Sequence, residues 1–168
     1  MNKKILVIGC PGSGKSFLSK ELSNITNIPC FHIDNLYWAK DKTHITREEL
    51  IIKYHDVLDK DEFILDGNYI STIDYRLKYA NCVIFLDFSL EDCIQGIKNR
   101  NNEIRDDIPW VQTEIDGEEL IAWIRSFEDR ERVEIIRLLN DFKGEKIILK
   151  NKEEVINFLN KIKNSRII

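Results

Sequence analysis

The sequence predicts an α/β domain built on a five-stranded parallel sheet. Three observations carry that expectation. Five short, continuous apolar runs are spread along the 168 residues, stretches with apolar residues at helical spacing separate them, and polar or turn-forming residues stand where the runs end. A continuous apolar run suits a strand covered by helices on both faces, and alternation of such runs with helices suits parallel crossover connections.

Taken in order, Ile5-Leu6-Val7-Ile8 forms the first run and ends at Gly9. A glycine-rich loop follows, then a helical stripe of Leu18, Leu22 and Ile25. Pro29 precedes a second strand expected over residues 30–33. Thr46 and Glu49 make a capping-box pattern that opens a helix carrying Leu50, Ile51, Tyr54, Val57 and Leu58. Phe63-Ile64-Leu65 is the third strand, closed by Asp66-Gly67, and a short helix holding Ile73 and Leu77 comes next. Cys82-Val83-Ile84-Phe85-Leu86 gives the strongest strand signal, and Ser89 with Asp92 repeats the cap pattern ahead of Leu90, Ile94 and Ile97. Residues 99–117 are polar and irregular, with Pro109 and Trp110 inside, which predicts a short lid segment. A long helical region carries Leu120, Trp123, Phe127, Ile136 and Leu139, with a break expected near Ser126. Ile147-Ile148-Leu149 is the last strand, and Asn151 caps a final helix with Val155, Phe158, Leu159 and Ile162 on one face. Residues 1–168 read as one domain.

Composition narrows the function classes. Charged residues make up 32% of the chain and balance to a net charge of −4, which argues against a nucleic-acid backbone or an anionic membrane as the main partner. Cys10, Cys30, Cys82 and Cys93 form no C-x-x-C pair and read as reduced thiols. Four apolar residues after Lys3-Lys4 are too few for a signal peptide or a membrane span, so a cytoplasmic location is expected. The oligomeric state is left open.

The segment Gly9-Cys10-Pro11-Gly12-Ser13-Gly14-Lys15-Ser16 fits G-x-x-x-x-G-K-[ST] in full. Glycines let the backbone curl so that several N–H groups face one anion, and the N-terminus of the following helix adds its positive end. Lys15 is then placed to bridge the β- and γ-phosphates of ATP, and Ser16 to offer its hydroxyl oxygen to Mg2+; Phe17 extends the nucleotide-binding stretch. The strand before and the helix after supply the context the motif requires. Together these features predict a three-layer P-loop NTPase fold.

Ligands of such sheets bind beyond the carboxyl ends of the strands, so the residues there are the candidates. Asp66 is the first choice for the metal, usually through water, with Asp87 as competitor because it also follows a hydrophobic strand. Asp34 is placed to orient or deprotonate an acceptor hydroxyl, with a plain turn Asp an equal reading. His32 reads as a packed strand residue, and Tyr37 and Trp38 as stacking surfaces or rim aromatics. Arg100 and Arg105, in the irregular segment, are candidates for neutralising a migrating phosphoryl group, and Arg76 for gripping an acceptor phosphate. Arg125, Arg130 and Arg132, among acids, read as charged surface.

The phosphate loop, the stretch His32-Ile33-Asp34-Asn35-Leu36-Tyr37-Trp38 and the stretch Asp66-Gly67-Asn68-Tyr69 resemble adenylate-kinase-related proteins of the kind labelled DNA topology modulation protein. The resemblance runs from residue 1 to about 88, with a weaker echo over residues 149–155. It implies a core like those of adenylate and shikimate kinases, Asp66 rather than Asp87 on the magnesium, Asp34 facing the acceptor, and Lys150 to Lys152 lining the adenine. It also places Trp38, Asn68 and Tyr69 on the acceptor side. Adenylate kinases carry Asp-Gly-Phe-Pro-Arg where this chain has Asp66-Gly67-Asn68-Tyr69-Ile70; the missing arginine argues against AMP as acceptor. The expected function is therefore transfer of the γ-phosphate of Mg-ATP to a small hydroxyl or phosphate acceptor. A nucleotide-dependent regulator acting through a protein partner is the alternative.

Overall fold

The computed structural model describes residues 3–100 and 105–165. The chain runs β1 (Lys4–Gly9), α1 (Lys15–Thr26), β2 (Cys30–His32), α2 (Ile33–Tyr37), α3 (Arg47–Leu58) and β3 (Phe63–Asp66). A 3-10 turn (Ile70–Thr72) leads into α4 (Ile73–Leu77), then β4 (Cys82–Leu86), α5 (Leu90–Lys98) and α6 (Glu114–Phe127). A π-helical stretch (Glu128–Arg132) joins α6 to α7 (Val133–Asp141), followed by β5 (Glu145–Leu149) and α8 (Lys152–Ser165).

The sheet has strand order β2-β3-β1-β4-β5, and all four pairings are parallel. β1 lies at its centre, which is why its side chains from Ile5 to Ile8 are all buried. Ile5 sits opposite Ile64 on one side and Cys82 on the other. Chain progress moves outward from β1 on opposite sides through β3 and β4. The crevice that opens at such a reversal lies at the carboxyl end of β1, where the glycine loop begins.

Local chemistry sets the helix ends. Thr46 and Glu49 form the reciprocal capping box read from the sequence, with the Glu49 N–H donating to the Thr46 hydroxyl and the Thr46 N–H to the Glu49 carboxylate. Ser89 accepts from the Asp92 N–H and Asn151 from the Glu154 N–H. α5 buries Cys93 and Ile97, and α7 buries Ile135 and Leu139, so each presents a stripe to the core.

Three expectations change. The second strand stops at His32, because Ile33 already starts α2. The irregular segment is shorter than 99–117: α5 runs to Lys98, and α6 begins at Glu114, held by a capping box between Thr113 and Asp116. Residues 101–104 of the expected lid lie outside the described residues. No break occurs at Ser126; its hydroxyl donates back to the Trp123 carbonyl, and the helix continues through the π stretch. Among the described residues no helix is long and apolar enough to cross a membrane.

Candidate active site

The loop between β1 and α1 has the form an anion needs. Gly9, Gly12 and Gly14 all take positive φ, and a bond from the Ser13 N–H to the Cys10 carbonyl, 3.2 Å, tightens the turn. The amides of Lys15 and Ser16 lie in the first turn of α1, where no intrahelical acceptor exists for them. Gly12 is irreplaceable for a second reason: a Cβ there would sit 2.0 Å from the Cys93 carbonyl oxygen. Gly96 makes the reciprocal approach, since its Cβ would sit 2.1 Å from the Gly12 oxygen, so α5 braces the loop backbone to backbone. The thiols of Cys10 and Cys93 are both buried, and Cys93 together with burial pushes the Cys10 thiol up.

Lys15 Nζ donates to the carbonyls of Gly9 and Cys10, both at 3.0 Å, which parks the ammonium across the mouth of the loop. Burial pushes its pKa down, while Asp66 and Asp34 act to hold the charge.

Two acids reach the same space from the ends of β2 and β3. Asp66 is buried and its Oδ2 pairs with His32 Nδ1 at 2.9 Å. Burial opposes the charge on His32, but hydrogen bonds to Asp66 and Cys30 outweigh it and raise the imidazole to about 10. Asp34 accepts from the Tyr69 hydroxyl at 2.7 Å. Burial raises its pKa above the ordinary aspartate value, against the opposing pull of Tyr69 and Lys15. Tyr69 itself is held in the left-handed region at φ 34°, and its ring meets that of Tyr37 with centroids 4.9 Å apart. Asp87 is engaged elsewhere: Arg132 grips it through two bonds of 2.7 and 2.9 Å.

A third acid was not anticipated. Asp107 is buried and paired with Arg105 through both carboxylate oxygens. Burial works to raise its pKa, but Arg105 and Ser16 hold it at about 2. Asn35 donates to the Asp106 carbonyl, and Lys20 pairs with the Asp106 carboxylate, so residues 105–107 are tied down over α1 and α2.

A cavity of about 700 Å³ opens from this point. Pro11, Lys15, Ser16, Asp34, Asp66, Arg100 and Arg105 line it. So do Asn68, Tyr69 and Trp38, together with Trp110 and Trp123, which were not candidates in the sequence. Lys42, from the hairpin after α2, closes a side by pairing with Asp116 on α6. The signal for Trp110 was present as an aromatic residue stranded in a polar segment, but its partner Trp38 lies far away in sequence.

Arg76 is a correction. Its side chain is 0% exposed and does not line the cavity. Nη1 donates to the Gly67 carbonyl, Nη2 to those of Asn68 and Tyr69, and Nε to that of Thr72. A guanidinium spent on four backbone carbonyls holds the turn after β3 in shape and has no face left for an acceptor phosphate. Arg132 is likewise more than charged surface, given its hold on Asp87. Phe17 is 57% exposed on α1, and Lys150 and Lys152 are exposed beyond the carboxyl end of β5, outside the cavity. Among the described residues no group of three His, Cys, Asp or Glu side chains is arranged to hold a metal ion by itself.

No family model and no curated protein matches the sequence. Solved structures with the same fold do. A shikimate kinase from Bacteroides thetaiotaomicron superposes with a TM-score of 0.61 at 15% identity, over 99% of both chains. A shikimate kinase from Acinetobacter baumannii, solved in complex with shikimate, gives 0.57 at 16% identity, over 99% of this chain and 94% of that one. At such identities the likeness speaks for the fold: a shikimate-kinase-like three-layer α/β architecture with a five-stranded parallel sheet.

Proposed function

We propose that the chain is a P-loop phosphotransferase that moves the γ-phosphate of Mg-ATP to a small hydroxyl or phosphate acceptor. The observation that carries this is the meeting, in one cavity, of an open glycine loop with Lys15 and Ser16 and of a half-buried acid, Asp34, held by Tyr69. A binding-only NTPase has no need of an acid beside its phosphate loop in a cavity of about 700 Å³. The fold it shares with shikimate kinases, and the resemblance of the Asp34 and Asp66 stretches to adenylate-kinase-related proteins, point the same way.

The residues fit a magnesium nucleotide. Ser16 and, through water, Asp66 would hold Mg2+, a cation that keeps several waters and is content with one or two carboxylates plus phosphates, so the lack of an all-protein metal cage is no obstacle. When bound, the ion supplies charge neutralisation on the β- and γ-phosphates. His32 fixes the orientation of Asp66 through its 2.9 Å contact. Lys15 exchanges two carbonyl partners for phosphate oxygens. Asp34 orients the attacking group and takes its proton, and Arg100 and Arg105 lie where charge develops. Lys150, Lys152 and the exposed Phe17 border the adenine in this reading. The balance of charge to −4 makes any effect on DNA indirect.

The test is ADP release from Mg-ATP across a panel of nucleosides, nucleotides and sugar-like hydroxyl compounds, with Lys15→Ala as control. Stimulation by at least one acceptor, lost in the variant, is expected. ATP turnover untouched by the substitution would remove the site assignment.

A further inference from the structure

The cavity says more about the acceptor than the fold does. All three tryptophans of the chain, Trp38, Trp110 and Trp123, line it, and none of them packs into the hydrophobic core. Trp38 and Trp110 meet edge to face, centroids 5.5 Å apart and planes at 79°, so they form two walls of a corner. Trp123 is fixed by a bond from its Nε1 to Glu131, 3.0 Å. Ile108 and Leu120 extend the apolar lining. Apolar aromatic surface withheld from the core and turned to a cavity is what a flat ring needs in order to stack.

The polar end is equally specific. Asn68 is 6% exposed, lines the same cavity, and neither its amide nitrogen nor its amide oxygen has a partner among the described residues. A buried amide with both groups unpaired is costly unless a ligand supplies a donor and an acceptor together. An ionised carboxylate or phosphate offers only acceptors. Hydroxyls and heteroaromatic ring edges offer both. The charges agree. Arg76 is consumed by backbone carbonyls, Lys42 is paired with Asp116, and Arg105 with Asp107, while Asp34 and Glu119 line the cavity as well. Once Lys15 and Arg100 face the triphosphate, no unpaired cation among the described lining residues is left to hold an acid group on the acceptor.

Resting on the phosphotransferase reading, we infer that the acceptor is an unphosphorylated nucleoside. Its base stacks in the Trp38–Trp110 corner, its sugar lies against Asn68, and one sugar hydroxyl reaches Asp34. In the transfer, that hydroxyl oxygen bonds to the γ-phosphorus, and the bond from the γ-phosphorus to the β–γ bridging oxygen breaks. ADP leaves with the electron pair, and the hydroxyl proton passes to the Asp34 carboxylate.

Because every tryptophan borders the cavity, intrinsic fluorescence reports on it directly. Adenosine, guanosine, cytidine, uridine and their deoxy forms are titrated without ATP, beside shikimate, AMP and ribose. Phosphorylated product is then followed with Mg-ATP by 31P NMR. Saturable quenching by at least one nucleoside and conversion of that nucleoside to its monophosphate are expected, with shikimate, AMP and ribose inert. Asn68→Ala should raise the nucleoside Kd by roughly tenfold or more, and the milder Trp38→Phe should keep binding while changing the quench, each leaving the Mg-ATP Kd unchanged. Mg-ATP binding without nucleoside quenching overturns the inference but leaves the phosphotransferase reading standing. Preferred transfer to shikimate, AMP or ribose also overturns it. Nucleoside quenching in a protein that fails to bind Mg-ATP upholds the ring site and sinks the kinase reading instead.

Discussion

Arg76 gives the sharpest test of how the turn after β3 is built. Its guanidinium is fully buried and donates to the carbonyls of Gly67 at 2.9 Å, Tyr69 at 3.2 Å and Thr72 at 3.3 Å, and to that of Asn68. Its charge also lies 5.8 Å from the centre of the Tyr54 ring. Thr72 begins a helical turn, so its oxygen keeps a backbone partner when the side chain is removed, and the Tyr69 oxygen keeps the Thr72 N–H at 2.9 Å and the Thr72 hydroxyl at 3.0 Å. The oxygens of Gly67 and Asn68 are left to Arg76. Each buried acceptor left unpaired costs about 1–3 kcal/mol, and the costs overlap as water enters the space. With two acceptors orphaned, Arg76→Ala should therefore lose about 2–5 kcal/mol, a large part of an ordinary domain's stability of about 5–15 kcal/mol. Arg76→Lys keeps three donors without the planar fork and should lose less, about 1–3 kcal/mol. Urea unfolding of wild type and both variants reads the order directly, and the lysine variant keeps the test alive if the alanine variant does not fold. Both variants matching wild-type stability, with only the acceptor KM raised, would refute the reasoning and return Arg76 to the substrate.

Two further outcomes follow from the same geometry. Gly96→Ala places a methyl 2.1 Å from the Gly12 oxygen, an overpacking worth about 1–3 kcal/mol; calorimetry should show a melting point lower by roughly 2–10 °C, and titration should show weakened Mg-ATP binding, whereas unchanged binding would mean that α5 does not shape the loop. Asp34→Asn should cut transfer by about 10²–10⁴-fold while moving the ATP Kd by less than about threefold; ATP binding lost in step with transfer would take Asp34 off the acceptor side. Since burial raises Asp34 above its ordinary value of 3.8, its base form is lost at a higher pH than for a free aspartate. The acid limb of kcat/KM should fall accordingly above that value and vanish in the asparagine variant. The same sign means that ionising this carboxyl costs folding stability as pH rises from 3.8 through the raised value.

Local signals made most of the fold legible. The glycine loop, the strand over residues 82–86 and the caps at Thr46, Ser89 and Asn151 are each written within a few consecutive residues, and each lies where it was read. The cap at Thr113 and Asp116 was written as locally but was masked by Gly117 and the polar run before it. The short strand β2 lost Ile33 because an apolar residue at a strand end is equally welcome in the first turn of a buried helix. What the sequence hid in the site is pairing across distance. His32 meets Asp66 34 positions on, and Asp87 meets Arg132 45 positions on. Arg76 looked like a ligand for phosphate because its sequence shows a charge on a short helix, not the four carbonyls that converge on it. Trp38 and Trp110 become a corner only once the hairpin after α2 and residues 105–110 are folded together.

The phosphotransferase reading requires that the main-chain amides of the loop enclose a polyphosphate. Backbone amide NMR during titration with Mg-ATP measures it most directly. Large, saturable shifts are expected at Gly12, Ser13, Gly14, Lys15 and Ser16, with smaller ones at Asp66 and Asp107. Saturable binding with those five amides unmoved, or no binding at all, would contradict it.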